Sequence, residues 1–423
     1  MPARDRSGLT RRVVPRLLVE NVAFRRLWLG QAVSMIGDQI SALALPLTAV
    51  LALHASAGEM GALTTLYLIP NLLFSLHAGA WVDRRGGRRT VMLATDAARA
   101  ILVGTIPVAY ALGHLTWAQL YIVAFATGTL SVVFYVAFGA LFQATLPRED
   151  YVEANSLIHG SRAFSFLAGN TLGGSLVALL RGPYALALDA CSFVWSALFL
   201  ARMHVEEPPG APPEPGAVAA GARWIRGNAI IRAELLGVAT INFFNFIFFA
   251  LFVLYATRSL GVGPATLGIV MGLASLGAVG GSFVTARLSR RFGVGPTFVL
   301  GCIFFPLPLV LVPAAGGPHW VVIALLFAAE FTSGVGLMML DIMAGSLSAA
   351  LIPTALRSRV SGAFMVVNYG VRPLGTTTAG ILGTVIGLRP TLWIATIGPL
   401  LGLLFLLPSP ILSLRELPEM ATE

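Results

Sequence analysis

Few side chains in this sequence could do chemistry, and their scarcity singles them out. Only 11% of the 423 residues are charged, where a soluble protein carries about 25%. Asp38 lies eleven residues into the apolar run that begins at Leu27, about 16 Å deep at 1.5 Å per residue and so near a bilayer's midplane. Glu330 lies eleven residues past His319 at a similar depth, and Arg372 falls well inside the run Val360–Ile386. A charge at that depth is expensive and by default faces a cavity with a task to perform. A carboxylate there can take up and release a proton, which makes Asp38 the first candidate for proton coupling and Glu330 the second. Glu330 reads equally well as a structural brace, for instance paired with Arg372 across neighbouring helices. Asp96, Arg99, Asp189 and Asp341 sit nearer the ends of their runs and read as polar braces inside a bundle. Asn242 and Asn245 stand among Phe243, Phe244, Phe246, Phe248 and Phe249. That wall suits a large amphipathic ligand, although rings facing lipid or neighbouring helices are the commoner arrangement.

Other chemistries find no residues to carry them. The sequence holds no His-Glu-x-x-His, no Gly-x-Ser-x-Gly and no paired aspartates. All 28 basic residues are arginine, so there is no Walker lysine for ATP hydrolysis. Cys191 and Cys302 both lie in apolar segments and read as small core-filling residues, neither a disulfide framework nor a metal site. No enzyme activity, metal or cofactor is expected. Energy for any transport must then come from an ion gradient.

These charges need helices to hold them, because only helices satisfy every backbone amide within a single segment in lipid. The chain is 57% hydrophobic, and runs of about 20 apolar residues recur along it. They cover Leu27–Leu53, Glu59–Ala80, Thr90–Leu112, Trp117–Leu141, Asn155–Leu180 and Tyr184–Met203. After a break come Ala233–Thr257, Pro264–Leu288, Pro296–Ala315, Trp320–Leu347, Val360–Ile386 and Thr391–Leu412. Proline within the runs, at Pro46, Pro70, Pro306 and Pro308, predicts kinks. Ala55-Ser56-Ala57 is similar to a signal-peptidase site, but the run before it is far longer than the ~7–15 residues of a signal h-region. Twelve spans leave a tail at 1–23, a Pro-rich linker with an interfacial segment at 205–229 and a tail at 415–423. The linker's Glu206, Glu207, Pro208, Pro209, Pro212, Pro213 and Pro215 predict an extended, solvated spacer.

The arginines then orient the chain. The turn Gly79-x-x-x-Asp83-Arg84-Arg85-Gly86-Gly87-Arg88-Arg89 falls on one side with Arg148, Arg202, Arg223, Arg226, Arg232, Arg287, Arg290, Arg291, Arg357 and Arg359. The other side receives only Arg181, Arg258 and Arg389. By the positive-inside rule the first side is cytoplasmic and both termini lie there. The net charge of +9 is therefore topological, and no nucleic-acid partner is expected.

The two sets of six repeat one another. A shift of 206 lays Val82-Asp83-Arg84-Arg85-Gly86-Gly87 over Leu288-Ser289-Arg290-Arg291-Phe292-Gly293, Leu146-Pro147 over Ile352-Pro353, and Gly174 over Gly380. Such offsets predict a duplicated unit. The fold expected is an all-α polytopic membrane protein, with twelve transmembrane helices in two pseudo-symmetric six-helix bundles, 24–204 and 230–414, around a central cavity.

On these residues the chain resembles the major facilitator superfamily over nearly its whole length, and within it the drug-exporter branch that includes macrolide-type and siderophore-type efflux proteins. Gly79, Asp83, Arg84, Arg88 and Arg89 are similar to the signature turn between helices two and three, with Gly87 where a basic residue is usual. Gly169-Asn170-Thr171-Leu172-Gly173-Gly174 resembles the antiporter motif, with Asn170 in place of its proline. Gly37-Asp38-Gln39-Ile40 followed by Ala44-Leu45-Pro46 is similar to the branch's helix-one pattern. The resemblance implies a gating role for Asp83 beside the start of helix eleven, near Arg357–Ser361, when the halves meet on the inner side. For Gly169, Gly173 and Gly174, helix packing alone explains the pattern as well as antiport does. It further implies a monomer in the cell (plasma or inner) membrane that moves a small molecule against protons by alternating access. The reading is export of a hydrophobic or amphipathic solute. An importer or symporter of a small solute is the alternative, and a non-transporting scaffold or receptor a remoter one.

Overall fold

The computed structural model describes residues 15–205, 207 and 217–416. The tail before Pro15, most of the Pro-rich linker and the last residues of the C-terminal tail lie outside the described residues. After a short α1 (Arg16–Glu20), six long helices follow. They are α2 (Val22–Ala52), α3 (Ala57–Arg85), α4 (Arg88–Ala111), α5 (Trp117–Thr145), α6 (Tyr151–Leu180) and α7 (Gly182–Ala201). Beyond the linker lie α8 (Ala217–Gly227), α9 (Ala229–Arg258), α10 (Pro264–Ala274), α11 (Leu276–Phe292), α12 (Val294–Phe304) and α13 (Leu311–Ala314). The chain then runs through α14 (His319–Leu351), α15 (Arg357–Val385), α16 (Leu388–Ile397) and α17 (Leu403–Leu406).

Among the described residues ten helical stretches are long and apolar enough to cross a bilayer, and α3, bent by 59° between Ser75 and His77, makes an eleventh. The 29 residues of α15 complete the set of twelve; it is long enough to span but more polar, as a helix lining a cavity should be. The spans begin where local chemistry says they must. Asn21, Thr116 and Asn228 cap α2, α5 and α9 through their side-chain oxygens. A reciprocal Ser56–Glu59 capping box starts α3, which gives the supposed cleavage-like triplet a structural purpose.

The structure departs from the sequence expectation in three places. The eighth span breaks at Ser275 between α10 and α11, and the twelfth passes through a 3-10 turn at Gly398–Gly402. The ninth does as its prolines predict, unwinding from α12 into a 3-10 turn at Leu307–Val310, where Pro306 and Pro308 remove backbone donors. Cys302 is buried, but Cys191 faces outward, so only one of the two cysteines fills a core.

Helices α2–α7 form one half and α9–α17 the other. The 11-residue α8 is amphipathic. Gly221 and Ile225 are buried, Arg223 and Arg226 are exposed, and a Cβ on Gly221 would stand 2.1 Å from the Arg359 carbonyl at the start of α15. Among the described residues the halves meet chiefly along two seams, α3 against α15 and α6 against α10, with lesser contacts of α9 on α2 and α3. Both seams lie towards the end away from the arginines. At the arginine-rich end Gly79, Gly160 and Gly345 face open space, with nothing within 4 Å of where a Cβ would sit. The halves thus close on one another at the arginine-poor end, where α6 lies on α10, and part towards the other, where α11 packs on α14 rather than on α6.

Candidate functional site

The first half concentrates its charges around Arg99, which is 2% exposed beside a fully buried Asp96. The two form an ion pair one helical turn apart on α4. The Arg99 guanidinium lies between the rings of Phe134 and Phe193, 4.3 Å from each centroid. A buried cation so paired and so flanked is a brace, since removing either partner would strand a charge. Asp189 on α7 accepts hydrogen bonds from Ser41 and from Ser192, the latter at 3.1 Å. Helix α2 reaches this acid by way of Gly37, where a Cβ would meet Asp189 Oδ1 at 2.5 Å and Ser192 Oγ at 2.1 Å.

Asp38, next to that glycine and mid-way along α2, is left unspent. Arg99, Asp96 and Arg162 act on it electrostatically, and it in turn acts on Tyr67 and Tyr135. Among the described residues no ion pair or hydrogen bond occupies its carboxylate; Arg99 is committed to Asp96. Arg162 escaped the sequence reading, although it lies eleven residues into α6, as far along its helix as Asp38 lies into its run.

The second half holds a cavity of about 540 Å³, lined by Asn242, Asn245, Asp341, Asn368, Tyr369 and Arg372 among apolar residues. Asn242 donates to Asn368 at 3.0 Å. Arg372 stacks on Tyr369 at 4.4 Å and on Phe246 at 5.0 Å, and the acid acting on it is Asp341. The Glu330–Arg372 pair entertained above therefore does not form. Glu330 makes no ion pair or hydrogen bond among the described residues. It shares a face of α14 with Leu337 and Asp341, seven and eleven residues on, so it stands beyond the cavity towards the closed end. Glu234, 2% exposed on α9 with its Oε2 unpartnered, was missed altogether. Its closeness to Arg232 makes it look like a helix-end charge, and only the fold shows it turned inward.

The turn between α3 and α4 is fastened more firmly than its sequence suggests. Gly86 and Gly87 both take φ +61°, which lets the chain reverse within two residues. Arg89 donates to the Leu200 and Ala201 carbonyls at 2.7 and 2.6 Å, the last groups of α7, where a cation is favoured. Glu207 accepts from the Arg88 and Arg89 amides at 2.5 and 2.9 Å and so caps α4. This linker acid is the local counter-charge that the sequence reading placed in a solvated spacer. Arg84 donates to its own helix, to the Ala80 carbonyl at 3.0 Å. Asp83 stands 3.9 Å from Arg88 with its side chain 38% exposed. At that distance, with Arg88 buried but the acid partly in solvent, the pair contributes little. With the halves apart at this end, Asp83 faces no described partner on α15. Asp83→Asn should accordingly leave the protein folded and inserted. It should slow turnover by a few-fold, ~1 kcal/mol for a partly exposed helix-end charge. Wild-type turnover in a well-expressed Asp83→Asn protein would leave the turn with a purely structural role.

The stretch Gly169–Gly174 serves two faces. A Cβ on Gly169 would meet Gln39 Cβ at 2.5 Å, and one on Gly173 would meet Ile40 Cα at 3.2 Å, both on α2. On the opposite face, a Cβ on Gly174 would meet Gly268 Cα at 2.7 Å, and one on Gly268 would meet the Asn170 carbonyl at 2.5 Å. One motif therefore packs its own half and seals against the other.

Comparison with known proteins gives the same architecture. The Mycobacterium tuberculosis protein named multidrug efflux pump Tap is 25% identical over 381 residues, which are 84% of this chain and 85% of that one. The Bacillus subtilis MFS-type transporter YfiS, uncharacterised, is 25% identical over 367 residues, 84% of this chain and 86% of that one. A mutant of the nucleoside transporter NupG superposes with a TM-score of 0.74 at 13% identity, over 91% of this chain and 98% of that one. A bacterial homologue of the iron transporter ferroportin, in an inward-facing state, gives 0.69 at 16% identity over the same shares. At such identities the solved structures speak for the fold alone. Residues 27–376, from the first span into the eleventh, match the Major Facilitator Superfamily as a family, and with two six-helix halves closed at one end around charged interior helices, the chain belongs to that superfamily of transporters.

Proposed function

We propose that the chain is a proton-coupled antiporter that exports an amphipathic small molecule across the cell membrane by alternating access. The observation that carries this reading is Asp38. It is a carboxylate at mid-membrane that no described ion pair or hydrogen bond occupies, and Arg99, the stronger of the two arginines acting on it, is committed to Asp96, so it is free to exchange a proton for a ligand's positive charge. Closed at the arginine-poor end and open at the arginine-rich end, the molecule is inward-facing by the positive-inside rule, and an exporter loads its substrate in that state. The multidrug efflux relative supports the direction at 25% identity. Asp38 is then the proton carrier, Glu330 a second protonatable group further out, and the Asp96–Arg99 pair with Asp189 the frame around Asp38.

The test is uptake into everted vesicles with and without an imposed pH gradient, using a panel of hydrophobic cations, macrolides and siderophores. Accumulation of at least one compound that collapses with the gradient is the expected result. Accumulation that ignores the pH gradient removes proton coupling. Uptake only in right-side-out vesicles makes the chain an importer.

A further inference from the structure

The two charges of the second-half cavity line it together without pairing. Arg372 on α15 and Asp341 on α14 both line the space of about 540 Å³ and interact electrostatically. Among the described residues they form no ion pair. The rings of Tyr369 and Phe246 hold the guanidinium, 4.4 and 5.0 Å away, but they carry no charge to neutralise it. Its Nε has no hydrogen-bond partner. Asp341 is exposed into the cavity. On the same lining Asn245 offers an amide that no described residue takes up, and Phe305, Phe364 and Met365 supply apolar wall.

We propose that this cavity is the substrate's polar subsite and that it selects a zwitterion, with an anionic group on Arg372, a cationic group on Asp341 and an apolar body against the phenylalanines. The proposal rests on the transporter reading and narrows its substrate class. The charge arithmetic favours it. A simple cation drawn to Asp341 must also approach Arg372, and a simple anion drawn to Arg372 must approach Asp341. Either ligand gives back in repulsion much of what it gains, in a cavity where water screens incompletely. A neutral apolar ligand desolvates both charges and pairs neither. A molecule bearing both signs pairs each group and restores their hydration at once. Arg372 suits the anionic end because a planar, ring-supported guanidinium is pre-organised for a carboxylate.

The test is equilibrium binding to the purified full chain in nanodiscs, by calorimetry, with three matched probes. Leucyl-phenylalanine carries both charges and two apolar side chains, its C-terminal amide only the cation, and its N-acetyl derivative only the anion. The free dipeptide should bind about tenfold or more tightly than either derivative. In Arg372→Gln the dipeptide and its amide should become equal. In Asp341→Asn the dipeptide and its N-acetyl form should become equal. Arg372→Lys, which keeps the charge and loses the ring-supported plane, should keep part of the preference and guards against a folding defect in Arg372→Gln. Equal or tighter binding of the amide, equal or tighter binding of the N-acetyl form, or no binding of any probe each overturns the proposal. No gradient or net transport enters the measurement, so its failure is distinct from failure of the transporter reading, which the vesicle experiment decides alone.

Discussion

Asp38→Asn should abolish substrate-driven proton release while leaving substrate counterflow in place. Asparagine keeps the size and much of the hydrogen-bonding capacity of the carboxyl group but has no proton to exchange. No described ion pair or hydrogen bond is lost, because Arg99 pairs with Asp96 and Ser41 with Asp189. The frame around the site therefore stays whole, which separates this substitution from changes in the buried pair. Arg99→Gln, by contrast, strands Asp96 in a fully buried position and should cost stability, 3–5 kcal/mol being about what breaking such pairs costs. The measurement is made in proteoliposomes. A pH-sensitive dye trapped inside follows proton release on addition of substrate, and exchange of labelled for unlabelled substrate follows counterflow. Proton release at the wild-type rate in Asp38→Asn places coupling elsewhere, and Glu330→Gln is then the next variant. Loss of both signals with a well-folded protein makes Asp38 a substrate ligand first.

Much of this arrangement is legible in the sequence, and the residues show why. Apolar runs as long as a bilayer is thick admit one secondary structure, and arginines confined to alternate turns admit one orientation. Asp38 stands out because depth along a helix follows directly from residue count. What count cannot supply is azimuth and partner. At 1.5 Å per residue Arg372 stands ~22 Å from the arginine-rich start of α15. Asp341 and Glu330 stand ~15 and ~31 Å from that end of α14. Depth leaves Arg372 between the two acids, and only the packing of α14 on its neighbours selects Asp341. Glu207 was illegible for the same reason, since its role depends on the linker folding back on α4. The break at Ser275 carries no proline to announce it. The repeat was readable, and it reached further than topology. Gly174 and Gly380, related by the shift of 206, each occupy one of the two seams, Gly174 against Gly268 and Gly380 against Gly61.

Those seams carry the second large effect. Gly174→Ala and Gly61→Ala should each drive the arginine-poor end open. A Cβ on Gly174 would lie 2.3 Å from the Pro264 carbonyl oxygen and 2.7 Å from Gly268 Cα. One on Gly61 would lie 2.6 Å from Gly380 Cα and 2.8 Å from the Thr376 carbonyl oxygen. The obstructing atoms are backbone, so no rotamer change relieves the contact, and the helices themselves must separate. The Thr65–Thr376 hydroxyl contact of 2.7 Å, on the same seam, should be lost with them. Overpacking of this kind costs about 1–3 kcal/mol. Here it falls only on the state in which the seams are closed, so it appears as a shift between states of about 5- to 150-fold with little loss of fold. The two sites lie on different seams and their effects should add. Gly160→Ala is the control, because nothing stands within 4 Å of its Cβ. Spin labels at His114 and Gly316, in loops at the closed end of opposite halves, report the opening in a Cys191→Ala background that removes the exposed native thiol. The distance between them should lengthen in each variant and most in the double. Labels at Arg85 and Arg291, at the open end, should draw closer together. An unchanged pair of distances in a folded double variant would mean that the glycines only pack helices and that the closed end is held shut by something else.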